Sequence, residues 1–395
     1  MIATHVPAVL TRTAILRLLL GWGTVLAAAL VMPRLAPPVP GPLLIGALVV
    51  IIAVILVCAF GVVHEAEHLA RRLGDPYGSL VLTLSIVLIE VILISAVMLG
   101  PGEQPTIGRD SVMAVSMIIL NAVIGLSLLV GGLRHGAMTP NRTGTSAYLA
   151  MLVLLSALAF ALPAVIGDAG SYLPWQAIAV GVLTAALYAF FLTRQMGSQA
   201  EDFREVDPRP VARWAGAEGP DGEGATRPGA FREEPVGVRE VIARHRSEVG
   251  LRAVLLVVTV LPIVLLSQHM ALLLDDGLGR AGAPVALAGV LIAMIVFLPE
   301  SITSIRAALQ GEIQRVSNLC HGALVSTVGL TIPAVLMIGL LTGRPVVLAE
   351  TPVNLLLLGV SLLLSVVTFT ARRVTAVHGA VHLVLFAVYG LALFS

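Results

Sequence analysis

The chain has 395 residues, of which 57% are hydrophobic and 12% charged, and its formal net charge is +1. A soluble domain carries about 25% charged residues and about 45–50% apolar ones. The composition therefore excludes a soluble globular protein, a disordered protein and a secreted disulfide scaffold, and the small net charge gives no sign of nucleic-acid binding. The two cysteines, Cys58 and Cys320, lie beside apolar runs and predict reduced, packed thiols.

Eleven apolar runs are long enough to cross a bilayer, since a spanning helix needs about 20 residues. In chain order they cover 14–32, 42–63, 79–99, 111–133, 146–166, 173–193, 251–274, 283–305, 317–341, 353–370 and 375–394. The runs are continuous, whereas strands of a membrane barrel would alternate. The sequence therefore predicts an all-α, polytopic protein of the lipid bilayer. For the first run, which follows Arg12 and Arg17, a cleaved signal peptide is the alternative to a retained helix.

The arginines predict the orientation, because cytoplasmic loops carry an excess of positive charge. All 24 basic residues are Arg. With a cytoplasmic N-terminus, 20 of them lie in inner segments and four in outer ones, Arg34, Arg109, Arg280 and Arg344. We therefore predict a protein of the cytoplasmic (inner) membrane whose N-terminus is cytoplasmic and whose C-terminus is outside.

The hydrophilic segment 195–250, with 11 acidic residues, divides the chain into two similar parts. The predicted organisation is an N-terminal helix and linker (1–40), a five-helix repeat (41–194), a cytoplasmic loop (195–250) and a second five-helix repeat (251–395). Repeats with an odd number of spans lie inverted in the membrane, which is a common plan among transporters.

Two carboxylates lie deep in apolar runs. Glu90 is near the middle of the third run, and Glu300 is in the inner part of the eighth. These runs occupy equivalent places in the two predicted repeats. A charged side chain at the centre of a membrane helix costs at least about 2.5–3.5 kcal/mol and usually marks a functional site. We therefore predict that both residues carry the function.

The chemistry of such a pair predicts exchange. A buried carboxyl group alone favours its protonated form, because desolvation penalises the charge. A cation between two carboxyl groups favours loss of the protons. The same site then holds either protons or a cation, which is the basis of antiport.

Neutral oxygen ligands are predicted on the spans that follow each Glu. Asn121 lies in the fourth run and Asn318 at the start of the ninth. Calcium takes 6–8 oxygen ligands, more than two Glu and two Asn side chains supply. Backbone carbonyls, water or nearby hydroxyls must supply the rest, and the hydroxyl candidates are Thr83, Ser301, Ser304, Ser326 and Thr327.

A second motif has an alternative reading. His64, Glu65 and His68 fit the HExxH zinc pattern, in which Glu is the general base. An intramembrane zinc metalloprotease is therefore the competing class of function. In the transporter interpretation, His64, Glu65 and Glu67 are candidates for a proton pathway at the inner mouth, because His titrates near neutral pH.

Several of these stretches together resemble bacterial calcium/proton antiporters of the cation/calcium exchanger superfamily. They are His64 to Ser79 into Glu90, Arg109-Asp110 into Asn121 and Leu129-Val-Gly-Gly132, Pro299-Glu300-Ser301, Arg306 to Leu309, Gln314, Asn318 to Cys320 and Gly329 to Pro333. The resemblance covers the chain from about 55 to 394. It implies a ten-helix inverted-repeat core with one extra N-terminal helix, and it implies that Glu90 and Glu300 exchange calcium for protons.

The chain departs from many such relatives, which carry Gly-Asn-Ala-x-Glu in both repeats. Here the residues before Glu90 are Ile86 to Ile89, and those before Glu300 are Val296 to Pro299. The Asn one turn before each Glu is missing, so sodium or potassium remain alternatives to calcium. A sodium/calcium exchanger ranks lower, because its site would be richer in acidic and hydroxyl ligands. We predict a secondary antiporter, not an enzyme, that needs no cofactor and carries calcium as its substrate.

Overall fold

A computed structural model describes residues 11–31, 39–73, 105–206, 246–284 and 286–394, together with positions 87, 91, 94, 95 and 98. Within this part of the chain, ten long helices account for almost all of the secondary structure. They are α1 Arg12–Val31, α2 Gly41–Leu73, α3 Ile107–His135, α4 Arg142–Ile166, α5 Pro174–Met196, α6 Arg246–Arg280, α7 Ala286–Gln310, α8 Ile313–Thr342, α9 Pro352–Thr370 and α10 Ala376–Ala392.

The fold class is confirmed as an all-α, polytopic membrane fold. Among the described residues, eight helices are long and apolar enough to cross a bilayer, and the bent α7 makes nine when its two parts count as one span. The 17-residue α10 is a shorter apolar helix. Each matches a predicted span within a few residues. The predicted span 79–99 lies largely outside the described residues, where the five described positions between 87 and 98 are helical.

Short contacts between loops show which helix ends share a face of the molecule. β1 (Ala137–Met138), which follows α3, pairs antiparallel with β2 (Val374–Thr375), which follows α9. The ends of α3 and α9 therefore share one face, the "loop face". After α8, the backbone N–H groups of Leu348 and Ala349 donate to the carbonyl of Gly170, which follows α4. The ends of α4 and α8 therefore share the opposite face, the "far face".

These contacts establish that the two halves are inverted. α3 ends at the loop face, where α4 begins, whereas α8 ends at the far face, where α9 begins. α3 and α8 occupy the same place in their repeats and yet cross in opposite directions. Each also packs against the last helix of the other half, α3 against α10 and α8 against α5. The start of the long hydrophilic segment, after α5, lies at the loop face.

The buried apolar residues form two main clusters. The larger joins α3, α4, α5, α8, α9 and α10 with part of α7. The smaller joins α1, α2 and α6, and the partly buried Leu291 and Ile295 of α7 pack against it. Helix α7 therefore lies between the two clusters, which places any polar group on it at the centre of the molecule.

Candidate cation site

Helix α7 is broken at the position that carries Glu300. Its two parts, Gly289–Ile295 and Phe297–Gln310, meet at an angle of 54°. Pro299 explains the break, because a proline inside a helix has no N–H for the preceding turn and its ring clashes with the carbonyl four residues back. Glu300 follows the break directly and its side chain is buried, with 8% of the residue exposed. Broken helices at membrane depth commonly supply ion ligands in transporters.

The next turn of α7 faces α8. The Cys320 thiol of α8 donates to Ser304 Oγ at 3.5 Å, and Glu300 lies within electrostatic reach of Cys320. Ser301 Oγ donates to the Phe297 carbonyl at 2.8 Å. Among the predicted hydroxyl ligands on this helix, Ser304 is buried on the α8 side and Ser301 is half-buried and bonded within its own turn.

Asn121 lies at nearly the same depth as Glu300. α3 and α7 run in the same direction toward the loop face, where His135 Nε2 lies 3.0 Å from the Leu309 carbonyl. Nine residues separate Glu300 from Leu309 and fourteen separate Asn121 from His135. At 1.5 Å per residue, the two side chains differ in depth by about 8 Å at most. The structure therefore brings the first Asn to within about a turn and a half of the buried Glu.

The side chain of Asn121 is fixed by contacts with the last two helices. It lies in a turn of π-helix, Ile118–Val123, and π-turns within α-helices are frequent at functional sites. Its Nδ2 donates to Ser361 Oγ at 2.8 Å, and its Oδ1 accepts from His382 Nδ1 at 3.4 Å. All three residues are fully buried. Sequence reasoning missed Ser361 and His382, and their separation from Asn121 by more than 200 residues explains why.

Asn318 is not brought to this level. It lies near the loop face, where its Oδ1 accepts from Gln314 Nε2 at 3.0 Å and its Nδ2 donates to the Phe203 carbonyl at 2.7 Å. Because Ser304 meets Cys320, Asn318 is roughly 9 Å nearer the loop face than Glu300, six residues of helical rise away. Its role as a ligand stays a prediction that the structure does not favour.

The repeat identifies a different position on α8 as the counterpart of Asn121. Asn121 is 14 residues from Ile107, the first residue of α3, and Thr327 is 14 residues from Ile313, the first residue of α8. Thr327 is fully buried. Its neighbour Ser326 accepts from Tyr188 Oη at 2.8 Å and donates to the Gly322 carbonyl. Both hydroxyls were predicted as additional ligands, and Thr327 has the equivalent place.

The motif around His64 is built as a structural contact. Glu65 is buried and its Oε2 accepts from Arg252 Nη1 at 2.6 Å, while Glu248 holds Arg252 from the other side at 3.3 Å. His64 is exposed, and its ring meets the edge of His68 at 4.6 Å. The side chain of Glu67 lies outside the described part of the chain. Glu65 is thus committed to an ion pair between α2 and α6.

Two predicted residues, Glu90 and Thr83, lie outside the described residues. Within the described residues, no three His, Cys, Asp or Glu side chains converge as a metal-binding group. The described half of the candidate site therefore consists of one buried carboxylate and neutral oxygen atoms.

A second buried carboxylate lies at the far face, outside the spans. Glu350 Oε2 accepts from Asn354 Nδ2 and from the backbone N–H of Thr351, and its Oε1 is 3.7 Å from Arg109 Nε. Arg109 also donates to Asp110 at 2.8 Å. Burial raises the pKa of Glu350 above its ordinary value, although these hydrogen bonds and Arg109 oppose the shift. The cluster connects the start of α3 to the loop after α8.

Comparison with known proteins decides the family. The sequence profile of the family described as sodium/calcium exchanger protein matches residues 43–197 and 251–395, one segment in each half. The chain belongs to the sodium/calcium exchanger family. Exchangers of this family are secondary transporters rather than enzymes and need no cofactor, as predicted. The zinc metalloprotease interpretation is therefore wrong, in agreement with the ion pair that engages Glu65.

Two curated relatives match most of this exchanger. The putative ionic transporter y4hA of Sinorhizobium fredii is 34% identical over 333 residues, which are 84% of this chain and 83% of the relative. The sodium-potassium/proton antiporter ChaA of Escherichia coli is 32% identical over 341 residues, 86% and 87% of the two chains. Both alignments extend over most of the two repeats, so the chain is similar to whole transporters.

The fold is shared with solved exchanger structures. The structure of YfkE, described as a Ca2+/H+ antiporter protein, covers 96% of this chain and 99% of its own with a TM-score of 0.64 at 14% identity. At that identity the likeness supports the fold only. The resemblance drawn from the sequence motifs is thereby confirmed for the family and the architecture.

Proposed function

We propose that this exchanger is a cation/proton antiporter of the cytoplasmic membrane in which Glu300 and Glu90 bind either the cation or protons. Calcium is the proposed cation. The observation that carries the proposal is the burial of Glu300 at the break of α7, within about a turn and a half of Asn121. A carboxylate at that place is costly in lipid and is retained in membrane helices mainly for function.

The proposed exchange follows from competition at one carboxyl group. In the cation-bound state Glu300 is ionised, and its charge is balanced by the cation. In the proton-bound state it is neutral, which the apolar surroundings favour. A carrier that changes access only in one of these two states moves cation and protons in opposite directions. Asn121, Thr327 and backbone carbonyls at the break are the proposed neutral ligands, because calcium requires 6–8 oxygen atoms.

The proposed orientation places the loop face in the cytoplasm. The segment 195–250 begins at that face after α5, and it carries much of the Arg excess. The N-terminus is then cytoplasmic and the C-terminus outside. With an inward proton gradient, this orientation predicts cation export.

A monovalent substrate is the second candidate. It is favoured by the 32% identity with ChaA, whose name gives sodium and potassium as its ions, over 86% of this chain. The described part of the site contains one carboxylate and no cluster of acids, a donor set that also suits a monovalent cation.

The test uses inside-out membrane vesicles with an acid interior, monitored with a pH-sensitive dye. Calcium, sodium or potassium is added separately to wild type, Glu300→Gln and the control Glu201→Gln, which removes an exposed acid after α5. We expect calcium to collapse the gradient in wild type and the control but not in Glu300→Gln. If only sodium or potassium acts, the monovalent candidate replaces calcium. If no cation moves protons, or Glu300→Gln matches wild type, the proposal fails.

A further inference from the structure

A chain of buried polar groups runs inward from the loop face along α8 and ends at a histidine. It consists of Gln314, Thr145, Ser317 and His321, each of them 0–1% exposed. His321 is eight residues from the start of α8, roughly 12 Å below the loop face. The proposed function does not use this chain. An ionisable residue at that depth indicates function.

The direction of the hydrogen bonds in the chain can be fixed from its outer end. The backbone N–H of Asn141 donates to Gln314 Oε1 at 2.9 Å, and Gln314 Nε2 donates to Asn318 Oδ1 at 3.0 Å. These two bonds assign the oxygen and the nitrogen of the Gln314 amide. Thr145 Oγ1 lies 3.4 Å from the same Oε1 and must therefore donate to it.

The remaining bonds follow one after another. Thr145 uses its hydroxyl proton toward Gln314, so Ser317 Oγ, at 3.3 Å, must donate to Thr145. Ser317 has then used its proton, so His321 Nδ1, at 3.0 Å, must be the donor to Ser317. The chain thus requires the tautomer of His321 that carries its proton on Nδ1. Its Nε2 is left with a lone pair.

That lone pair is aimed into the molecule. Nε2 is buried, and in the part of the chain that the structure describes it has no hydrogen-bond partner. The ring is held by the edge contact with Phe369 at 4.7 Å and by stacking on Tyr148 at 6.4 Å. A buried acceptor without a donor costs free energy, about 1–3 kcal/mol. The geometry keeps this atom available to receive a proton.

The other buried histidine shows the contrast. His382 donates from Nδ1 to Asn121 and accepts at Nε2 from Thr368 at 3.3 Å. Both nitrogens of His382 are therefore satisfied. His321 is the buried histidine whose arrangement leaves an acceptor open and connects its other nitrogen to a face of the membrane.

The titratable groups around His321 come from four helices. Tyr148 of α4 stacks on the ring, and His382 of α10 is within electrostatic reach. Tyr188 of α5 lies beyond it at Ser326, and Glu300 of α7 lies on the Cys320 side. α9 contributes the apolar Phe369. The ring therefore lies between the loop face and the level of the candidate cation site.

We propose that His321 is part of the proton path of this exchanger, binding protons at Nε2 and passing its Nδ1 proton to Ser317 and Thr145. The proposal rests on the proposed antiport. One proton arrives at Nε2 while one leaves Nδ1, and the Ser317 and Thr145 hydroxyls each accept one proton and donate another. The Gln314 end of the chain lies beneath the 200–206 segment, where Glu205 Oε2 accepts from the Gln314 backbone N–H at 2.9 Å.

The test separates proton movement from cation movement. Purified protein in liposomes is assayed for calcium/proton exchange and for exchange of 45Ca2+ against unlabelled Ca2+ at equal pH, which needs no net proton transfer. If sodium is the ion that dissipates the gradient in wild type, 22Na+ replaces the calcium label. The variants are His321→Asn, which keeps an amide donor toward Ser317, and Ser317→Ala, which interrupts the chain. The control is His269→Asn, on α6 and away from the chain.

We expect His321→Asn to slow cation/proton exchange by about tenfold or more, since a positioned proton-transfer group contributes about 10²–10⁴-fold. Cation self-exchange should remain near wild type. Ser317→Ala should slow the proton-coupled mode to a smaller extent, and His269→Asn should change neither mode.

Three results would overturn the proposal. Equal loss of both modes in His321→Asn would show a structural role, and loss of neither would show that protons pass elsewhere. Wild-type rates in Ser317→Ala would show that the hydroxyl chain is not the path. If wild type itself couples no proton to any cation, the proposed function fails as well, so the two failures are distinguishable.

Discussion

The two inverted halves meet through two equivalent interfaces that are built differently. Where α3 packs on α10, a Cβ added to Gly132 would lie 2.7 Å from Ala376 Cα and would overlap the Ala376 nitrogen. Where α8 packs on α5, a Cβ added to Gly329 would lie 3.0 Å from the Tyr188 ring. The first interface is therefore backbone against backbone, and the second is glycine against an aromatic side chain.

The difference concerns how much each interface can yield. Small residues let membrane helices approach closely, and two touching backbones leave no group that can rotate away. In contrast, a ring can shift by a few tenths of an ångström. The α3–α10 interface holds the Asn121–His382–Ser361 contacts, so it is suited to keep part of the site fixed. The α8–α5 interface lies beside the polar chain that ends at His321.

The sharpest test of this comparison is a matched pair of glycine substitutions. Gly132→Ala should destabilise strongly, beyond the usual cost of about 1–3 kcal/mol for an overpacked core, because main-chain atoms must move. Gly329→Ala should cost less, since Tyr188 can shift. Thermal unfolding of both variants in one detergent measures the difference.

The control for that pair is Gly359→Ala, because nothing lies within 4 Å of a Cβ added there. It should match wild type or be slightly more stable, since Ala favours the helix. Equal melting temperatures for Gly132→Ala and Gly329→Ala would show that the two interfaces yield equally, and the comparison would fail.

The next largest effect is expected at the polar contact inside the tighter interface. Asn121→Ala removes the acceptor of His382 Nδ1 and the donor to Ser361. The His382 N–H is then buried without an acceptor, which should cost about 1–3 kcal/mol of unfolding free energy. Thermal unfolding measures the loss, and a cycle with His382→Ala isolates the pair, for which coupled neighbours give about 0.5–3 kcal/mol. Additive losses would mean that the two side chains do not support each other.

The sequence predicted most of the spans because a run of about 20 apolar residues is a direct signal. It also predicted Glu300, since a carboxylate within such a run is visible without a structure. The depth of Asn318 was not visible, because depth depends on where α8 begins. That start is at Ile313, five residues before Asn318, whereas the equivalent count from α3 reaches Thr327. A polar residue that follows an Arg by three positions is a usable sign of a helix end.

Contacts between the halves were beyond the sequence for another reason. His382 was predicted to pack or to hydrogen-bond, but its partner lies 261 residues away in the chain. The pairing is set by the inverted packing of α3 on α10. Likewise the HExxH spacing of His64, Glu65 and His68 carries no information about Arg252, which fills the place a metal would need.

A smaller effect is expected at the far face, where the start of α3 meets the loop after α8. The pKa of Glu350 is raised by burial, so the folded state holds the proton more tightly than the unfolded state. Stability from this group is therefore complete below the ordinary pKa of 4.5 and is lost as pH rises through the folded value. The slope is at most about 1.4 kcal/mol per pH unit. Glu350→Gln should remove it.

Melting temperatures of wild type and Glu350→Gln from pH 4.5 to 8 test this sign. The difference between them should move in favour of Gln as pH rises. A difference that moves in favour of Glu would mean that Arg109, 3.7 Å away, outweighs burial and lowers the pKa instead.

The smallest effect is expected at the single hydrogen bond that crosses the more yielding interface. Tyr188 Oη donates to Ser326 Oγ at 2.8 Å, and Ser326 also donates to the Gly322 carbonyl. Tyr188→Phe keeps the ring beside Gly329 and leaves Ser326 its second bond, so the loss should be about 0.5–1.5 kcal/mol. Thermal unfolding of Tyr188→Phe, Ser326→Ala and the double variant measures it. If Tyr188→Phe costs as much as Asn121→Ala, the α8–α5 interface depends on its polar contact as strongly as the α3–α10 interface does. A ring that is free to shift would then be the wrong description of it.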